Sequence, residues 1–176
     1  MAIGSYPRDE NRVPIVDLGI LVTKAVTFTA NGTVAKPLFH VTGSVLVQSL
    51  YGVVTTAIGS NHTAAHWRIN DQTITTQVIS AAAGTTISSL SAGTLLSRIG
   101  VLTVALAVST AATGLVTDPV AATAMGFFTP FVVTQKTASV ETNIEYVYTT
   151  NNTSLGAMTF YVGYVPLSTD GSIEAY

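Results

Sequence analysis

The feature that most limits the fold of this chain is a two-residue alternation of side chains that recurs along it. Residues 140–148 place Val, Thr, Ile and Tyr on alternate positions, and residues 158–165 repeat the pattern with Met, Phe, Val and Tyr. Successive side chains of a β-strand point to opposite faces, so this period indicates strands. Because β-branched residues dominate and no segment shows a helical period, the sequence predicts an all-β fold.

We expect about eight strands in an antiparallel β-sandwich or jelly roll. Asn31-Gly32 predicts a hairpin, and the polar stretch 150–156 predicts a second hairpin that joins the last two strands along one aromatic face. Pro37 limits its stretch to an edge strand or a loop. The segments expected to be strands start at Thr23 and cover 41–55, 71–79, 101–109, 131–133, 140–149 and 158–165, with a weak strand at 86–90 in a loop spanning 80–93 and another loop at 110–129.

The chain divides into two parts. Residues 1–20 form an extended N-terminal arm or a disordered terminus, because Pro7 and Pro14 prevent a helix there and charges cluster between them. Residues 21–176 are long enough to form a single β-sandwich domain with a full core.

Charge is scarce in this chain. Seven Lys or Arg and nine Asp or Glu make up 9% of the 176 residues, against about 25% in an ordinary soluble domain. Either Ser, Thr, Asn and Gln solvate the surface, or much of the surface is buried in an assembly. We favour the second interpretation, since a free protein usually carries mixed surface charges. A homo-oligomer is expected, and a trimer is compatible with the sequence.

Two classes of partner are disfavoured. The seven cations are spread from Arg8 to Lys136 without a basic cluster, so nucleic-acid binding is not expected. The uncharged run 99–117 is long enough to cross a membrane, but its alternation predicts a strand instead, and no signal-peptide pattern is visible.

The candidate chemical motifs are weak. His62 and His66 are four residues apart, but their polar context indicates a loop and not a zinc site. Glu141 and Glu145 would share one face of a strand, where we expect them to be solvated or interfacial and not catalytic. There is no cysteine, serine elbow or phosphate loop. We therefore expect no enzyme activity, no catalytic or metal-binding residue and no cofactor.

Three stretches, at 8–14, 38–59 and 156–168, resemble small structural proteins of tailed bacteriophage particles. The first stretch is Arg-Asp-Glu-Asn-Arg-Val-Pro at 8–14. The second contains Leu-Phe-His-Val-Thr-Gly-Ser-Val-Leu-Val at 38–47 and Gly-Val-Val-Thr-Thr-Ala-Ile-Gly at 52–59, and the third is Gly-Ala-Met-Thr-Phe-Tyr-Val-Gly-Tyr-Val-Pro-Leu-Ser at 156–168. The resemblance implies a β-sandwich structural protein of the virion, such as a capsid decoration (cement) protein on the capsid surface. Its partners would be the major capsid protein and copies of itself.

The arm is the expected contact with a neighbour, because it combines charges with prolines on a nearly uncharged chain. Its candidate interface residues are Arg8, Asp9, Glu10, Arg12 and Pro14. The alternative function is a receptor- or glycan-binding module of a head or tail fibre. In that case exposed Tyr51, Trp67 or Tyr161 would contact the ligand, although core packing is also expected for such residues.

Overall fold

The computed structural model describes residues 19–28, 31–71, 77–80, 85–98, 105–109, 129–150 and 156–176. These residues contain no helix, which confirms the all-β prediction, and they form eleven strands where about eight were expected. The strands are β1 (Ile20–Thr27), β2 (Gly32–Thr42), β3 (Ser44–Thr56), β4 (His62–Asn70), β5 (Gln77–Val78), β6 (Leu95–Ser97), β7 (Ala107–Ser109), β8 (Phe131–Thr134), β9 (Thr142–Thr150), β10 (Ala157–Pro166) and β11 (Ser172–Ala175).

The strands form two antiparallel sheets that pack face to face. The six-stranded sheet has the order β1-β10-β3-β6-β7, with β8 also paired to β3, and the five-stranded sheet has the order β11-β2-β9-β4-β5. The pairs β1–β10, β2–β9, β3–β6 and β4–β5 are nested in the sequence and alternate between the two sheets. A ribbon of nested pairs wrapped in this way is a jelly roll, so the fold prediction is confirmed.

Both predicted hairpins are wrong. β1 pairs with β10 and β2 pairs with β9, so the chain changes sheets at Asn31-Gly32 instead of turning back. β9 and β10 also lie in different sheets, although both have an aromatic face. These faces meet across the core, where the rings of Tyr146 and Phe160 are 4.9 Å apart. These sequential strands therefore face each other through the sandwich instead of pairing side by side.

A single glycine makes one of the sheet changes possible. Only Gly43 separates β2 from β3, which belong to different sheets, and its φ is +60°. A Cβ at this position would lie 2.6 Å from side-chain oxygens of Ser168 and Asp170. Positive φ and this close approach both favour glycine. The sequence predicted one continuous strand over 41–55 because its apolar pattern runs through Gly43.

The prediction that Pro37 lies in an edge strand is confirmed for the part of β2 that contains it. Pro37 lies within β2 and pairs with Glu145 of β9, but β11 covers β2 only from Phe39 to Thr42. At Pro37 the strand therefore has one neighbour among the described residues, and the missing N–H removes no ladder bond on the open side. A bulge between Pro37 and Phe39 follows directly.

The largest error of the strand prediction is β4, which the sequence indicated as a polar loop. β4 is a central strand of the five-stranded sheet and contributes Trp67, which is completely buried, to the core. A bulge interrupts it between Thr63 and His66, where Ala64 has a φ of +54°. The bulge breaks the two-residue period, and this hides the strand from an analysis of alternation.

Other strands match in part. The 131–133 and 158–165 predictions correspond to β8 and to β10, whereas β6 and β11 were not predicted. At 86–90 there is no strand, and the nearby pairing is an isolated bridge between Thr85 and Ala65. Within 71–79 and 101–109 only β5 and β7 are strands, and 72–76 and 101–104 lie outside the described residues, as do 110–128 of the predicted loop. The predicted arm lies outside them up to residue 18.

Candidate protein interface

The two sheets differ in the side chains that they direct away from the core. We call the outer surface of the six-stranded sheet the uncharged face, and that of the five-stranded sheet the polar face. Pairing registers and burial place on the uncharged face Leu21, Thr23, Ala25 and Thr27 of β1, Leu46, Ser49, Tyr51 and Val53 of β3, Leu95 of β6, Val132 and Thr134 of β8, and Thr159, Tyr161, Gly163 and Val165 of β10.

No described residue of the uncharged face carries a charge. Leu21 and Val132 are each 57% exposed, although large aliphatic side chains on a free sheet face are usually replaced by polar ones. Lys24 does not interrupt the surface, because its register partner is the buried Phe160 and its Nζ donates a hydrogen bond to the Tyr176 carbonyl. An uncharged surface with aliphatic residues at two of its borders is typical of a protein contact site.

Two tyrosines occupy the centre of the uncharged face. Tyr51 and Tyr161 are register partners on β3 and β10, and their rings stack at 4.8 Å with an interplanar angle of 9°. Partial burial and, to a smaller extent, the neighbouring Tyr161 raise the pKa of the Tyr51 hydroxyl above its ordinary value. The Tyr51 hydroxyl therefore stays neutral at physiological pH.

A bulge in β3 decides that Tyr51 lies on this face. Gly163 pairs with Ser49, but the next residue, Tyr164, pairs with Val47, so Gln48 is the extra residue. In a regular strand over 41–55, Tyr51 would share the face of Val45 and Val47, whereas the bulge places it on the opposite face. Both valines point into the core, and beyond the bulge the inward positions belong to residues such as Leu50. No sequence signal marks Gln48 as a bulge.

The polar face carries a hydrogen-bonded network. Arg68 Nε donates to Glu145 Oε2 at 2.7 Å, and Asn70 Nδ2 donates to Glu145 Oε1 at 2.9 Å. His40 Nδ1 lies 3.2 Å from Asn143 Oδ1, and Asn143 Nδ2 donates to Glu141 at 3.4 Å. The first group of contacts joins β4 to β9 and the second joins β2 to β9, and together we call them the polar-face network. Glu141 and Glu145 therefore share a face as predicted, and the buried Glu145 carboxylate is an ion-pair partner of Arg68.

The two histidines considered for metal binding point to opposite sides of β4. His62 is completely buried, and its ring stacks on Tyr148 at 4.5 Å. His66 lies on the polar face, where Nδ1 is 2.7 Å from the Ala64 carbonyl oxygen. The β4 bulge between them cancels the common orientation that a spacing of four would give a regular strand. Within the described ranges, no group of three or more His, Asp or Glu side chains could hold a metal ion.

The buried His62 has a strongly perturbed environment. Burial lowers the pKa of its imidazole from 6.5 to about 4, because the charged form would lose its hydration. Nε2 lies 3.5 Å from the Tyr146 hydroxyl, and Nδ1 has no hydrogen-bond partner among the residues that the structure describes. The imidazole is therefore neutral near pH 7 and packs as an aromatic core side chain.

Arg98, at the end of β6, holds neighbouring segments together and lies near a cavity. The Arg98 guanidinium donates to the carbonyl oxygens of Ile79 and Thr129 and lies 4.7 Å from the centre of the Phe131 ring. These contacts tie the end of β6 to neighbouring elements. A cavity of about 260 Å³ opens nearby, and the side chains that line it offer no acid or base. Its lining comprises Ile69, Gln77, Ile79, Phe131, Val132, Val133 and Thr134.

The candidate residues from the sequence fall into three groups. The structure brings Tyr51 and Tyr161 together on the uncharged face. It places Trp67 in the core, so Trp67 cannot contact an external ligand. Arg8, Asp9, Glu10, Arg12 and Pro14 lie outside the described residues, and their interface role stays a prediction.

Comparisons with protein-family models, with curated proteins and with solved structures find no match for this chain. In the described part of the chain, no helix has the length and hydrophobicity needed to span a bilayer.

Proposed function

We propose that this protein is a structural protein of a bacteriophage particle, a capsid decoration protein that binds the outside of the shell and neighbouring copies. The observation that carries the proposal is the uncharged face, which presents exposed aliphatic residues and a stacked tyrosine pair. The resemblance of three sequence stretches to small phage structural proteins supports the same class. Binding would remove apolar area from water, at about 25 cal/mol per Å² before the costs of association.

The proposal assigns different roles to the two faces. The uncharged face would contact the shell, because a partner surface can cover it without stripping water from a charge. The polar face would remain in solvent, where its paired charges keep the particle hydrated. Many weak contacts on a repeating lattice would then add up to stable attachment.

A matched pair of lysine substitutions tests this orientation. Thr159→Lys places a charge on the uncharged face, next to the register partner Val53, and Thr149→Lys places the same charge on the polar face. Both threonines are half-buried strand residues. We expect Thr159→Lys to raise the dissociation constant for bare capsids, measured by co-sedimentation, at least about tenfold. This factor corresponds to about 1.4 kcal/mol of binding free energy. Thr149→Lys should bind like the unmodified chain.

The unmodified chain should also raise the melting temperature of the bare capsid in scanning calorimetry. If the chain leaves both sedimentation and melting unchanged, the decoration role is wrong. If Thr149→Lys is the more damaging variant, the orientation is reversed.

The N-terminal arm is a separate part of the proposal. Arg8 to Pro14 would hold a neighbouring subunit, as the charge cluster and the prolines suggest. Deletion of residues 1–14 should then weaken capsid binding. Unchanged binding would assign the whole contact to the sandwich domain.

Glycan or receptor binding is the second candidate, because Tyr51 and Tyr161 lie on an open sheet face and not in the core. Their stacking already uses one ring face of each tyrosine, so less aromatic surface is free for a sugar. Binding on a glycan array that is lost in Tyr161→Ala would favour this function over decoration.

A further inference from the structure

The dipeptide Asn31-Gly32, where the chain passes from one sheet to the other, is an exposed corner of the fold. Both residues are exposed to solvent. Asn31 lies outside the strands, and Gly32 is the first residue of β2. β11 covers β2 only from Phe39 to Thr42, so among the described strands Gly32 has β9 as its one neighbour. Water therefore has access to the dipeptide, which lies at the end of a ladder.

An asparagine in such a place can react with its own backbone, and asparagine is one of the thermolabile residues of proteins. The backbone nitrogen of the following residue attacks the side-chain Cγ, which requires close approach. A glycine at the following position has no side chain that obstructs the approach. The φ of Gly32 is +88°, and apart from its chain neighbours no atom lies within 4 Å of the place that a Cβ would take. The surroundings of Gly32 therefore leave room for the reaction.

We propose that Asn31 is a site of spontaneous deamidation, which converts it into a mixture of aspartate and isoaspartate. The Gly32 backbone nitrogen forms a bond to Asn31 Cγ, the Cγ–Nδ2 bond breaks, and Nδ2 leaves as ammonia with the proton of the Gly32 amide. Water then opens the resulting succinimide. Hydrolysis of the ring bond to Cγ gives aspartate, and hydrolysis of the ring bond to the backbone carbonyl carbon gives isoaspartate. Water is the only co-reactant, and no electrons are exchanged.

The first contrast within the described part of the chain is with Asn61. Asn61 is also exposed, but the nitrogen that would attack it belongs to the completely buried His62. This N–H donates a hydrogen bond to Ser88 Oγ at 2.8 Å. The hydrogen bond has to break before the nitrogen can attack, so the fold protects Asn61 while it leaves Asn31 reactive.

The two asparagines of the polar-face network are protected through their side chains. Asn70 Nδ2 donates to Glu145 Oε1 at 2.9 Å. Asn143 is 2% exposed, with Oδ1 3.2 Å from His40 Nδ1 and Nδ2 donating to Glu141 at 3.4 Å. Neither amide can turn toward the following backbone nitrogen without losing these hydrogen bonds. We therefore expect both asparagines to persist in the folded chain.

Deamidation would matter because the chain carries few charges. It adds one carboxylate to the nine of Asp and Glu, and isoaspartate also adds one methylene to the main chain just before β2. On the two sides of the corner, Phe28 N donates to the Gly156 carbonyl at 2.9 Å and Thr33 Oγ1 lies 2.9 Å from Thr149 Oγ1. These contacts hold the adjoining strand ends, so we expect the fold to survive the change. The inference does not depend on the capsid role.

Peptide mapping by mass spectrometry tests the proposal on the purified, folded chain. The chain is incubated at pH 6 and at pH 8.5, and conversion is followed at Asn31, Asn61, Asn70 and Asn143. We expect Asn31 to convert at least about fivefold faster than Asn61, because the His62 N–H first has to lose its hydrogen bond. Conversion at Asn31 should be faster at pH 8.5, since base removes the proton of the attacking nitrogen. An intact Asn31 at pH 8.5, or conversion at Asn61 that is equally fast, would overturn the proposal.

Two further measurements separate the effect of the fold from that of the local sequence. In ion-exchange chromatography, Asn31→Ser should slow the growth of acidic species, whereas Asn61→Ser, at the matched exposed asparagine, should not. Equal growth in both variants would mean that Asn31 is not the source. In urea, conversion at Asn61 should accelerate toward that of Asn31, because the hydrogen bond to Ser88 is lost. A ratio of rates that stays the same in urea would overturn the protective role of the fold.

Discussion

The outer faces of the two sheets belong to the same fold but follow opposite chemistry. The polar face carries an ion pair and two groups of side-chain hydrogen bonds, one between β4 and β9 and one between β2 and β9, whereas the uncharged face carries stacked tyrosines, threonines and aliphatic residues. In an isolated jelly roll both outer faces meet water, so the fold alone does not require a difference. The proposed capsid role would use this contrast, with one face covered by the shell and the other in solvent.

The contrast also suggests a division of roles, in which the polar face contributes to the stability of the fold and the uncharged face to association with a partner. The neutral His62, buried beneath the polar face, connects the stability of the five-stranded sheet to pH. On the outer face of the six-stranded sheet, the titratable Tyr51 has a raised pKa and stays neutral throughout the acid range. Perturbing one face at a time therefore shows whether the polar face holds the fold together while the uncharged face serves binding.

The largest effect is expected from acid. The folded pKa of His62 is about 4 and the unfolded value is about 6.5, so the unfolded state binds the proton more readily. The contribution of His62 to stability is complete above pH 6.5 and is lost as the pH falls toward 4. The difference of 2.5 units corresponds to about 3 kcal/mol in the free energy of unfolding. Urea titrations between pH 7 and pH 4 measure it.

Two histidine variants assign this effect. His62→Phe keeps an aromatic ring beside Phe28 and Tyr148 and should flatten the stability profile between pH 4 and 6.5. His66→Gln, on the polar face of the same strand, should leave the profile unchanged. Hydrogen exchange should show β4 and β9 losing protection before β3 and β10 on acidification. A His62→Phe profile as steep as that of the unmodified chain contradicts the assignment.

Alternation alone was enough to predict the fold class and the positions of β8, β9 and β10. It could not predict which strands pair, because the nested pairs of a jelly roll are contacts between distant segments. Asn31-Gly32 shows the limit clearly. The dipeptide has the local conformational freedom of a hairpin turn, but the strands on its two sides pair with the distant β10 and β9.

Bulges account for most of the remaining errors, and they determine the candidate site. The extra residue Gln48 places Tyr51 on the uncharged face instead of the face of Val45 and Val47, and the bulge at Ala64 turns His62 and His66 apart. Each bulge is a shift in register against a partner strand that is distant in sequence, so neither is visible in the local sequence. Composition indicated that charge is missing, but only the register showed that it is missing from one face.

A smaller effect is expected when the polar-face network loses its charge. Glu145→Gln leaves Arg68 without a carboxylate partner. The loss should matter because the contact is largely shielded from water: the Glu145 side chain is 6% exposed and the Arg68 side chain 24%. Hydrogen bonds to charged groups contribute about 2 kcal/mol, and we expect the free energy of unfolding to fall by about this amount. Chemical denaturation measures it.

Glu174→Gln is the control for this loss. Glu174 is an exposed carboxylate on β11 of the same sheet, and its substitution should change stability by less than about 0.5 kcal/mol. Equal losses in the two variants would mean that the network does not stabilise the polar face, and the contrast between the faces would lose its energetic basis.

The smallest effect concerns the stacked tyrosines. A double-mutant cycle with Tyr51→Ala and Tyr161→Ala should give a coupling energy of about 1 kcal/mol, the range measured for aromatic pairs. Because neither ring is charged, the coupling should be the same at low and high salt. The corresponding cycle for Arg68→Ala and Glu145→Ala should give a coupling that decreases with salt, since Arg68 is partly exposed and ions screen it. If the tyrosine coupling decreased with salt in the same way, the Tyr51–Tyr161 contact would depend on a nearby charge, and the uncharged face would not be electrostatically neutral.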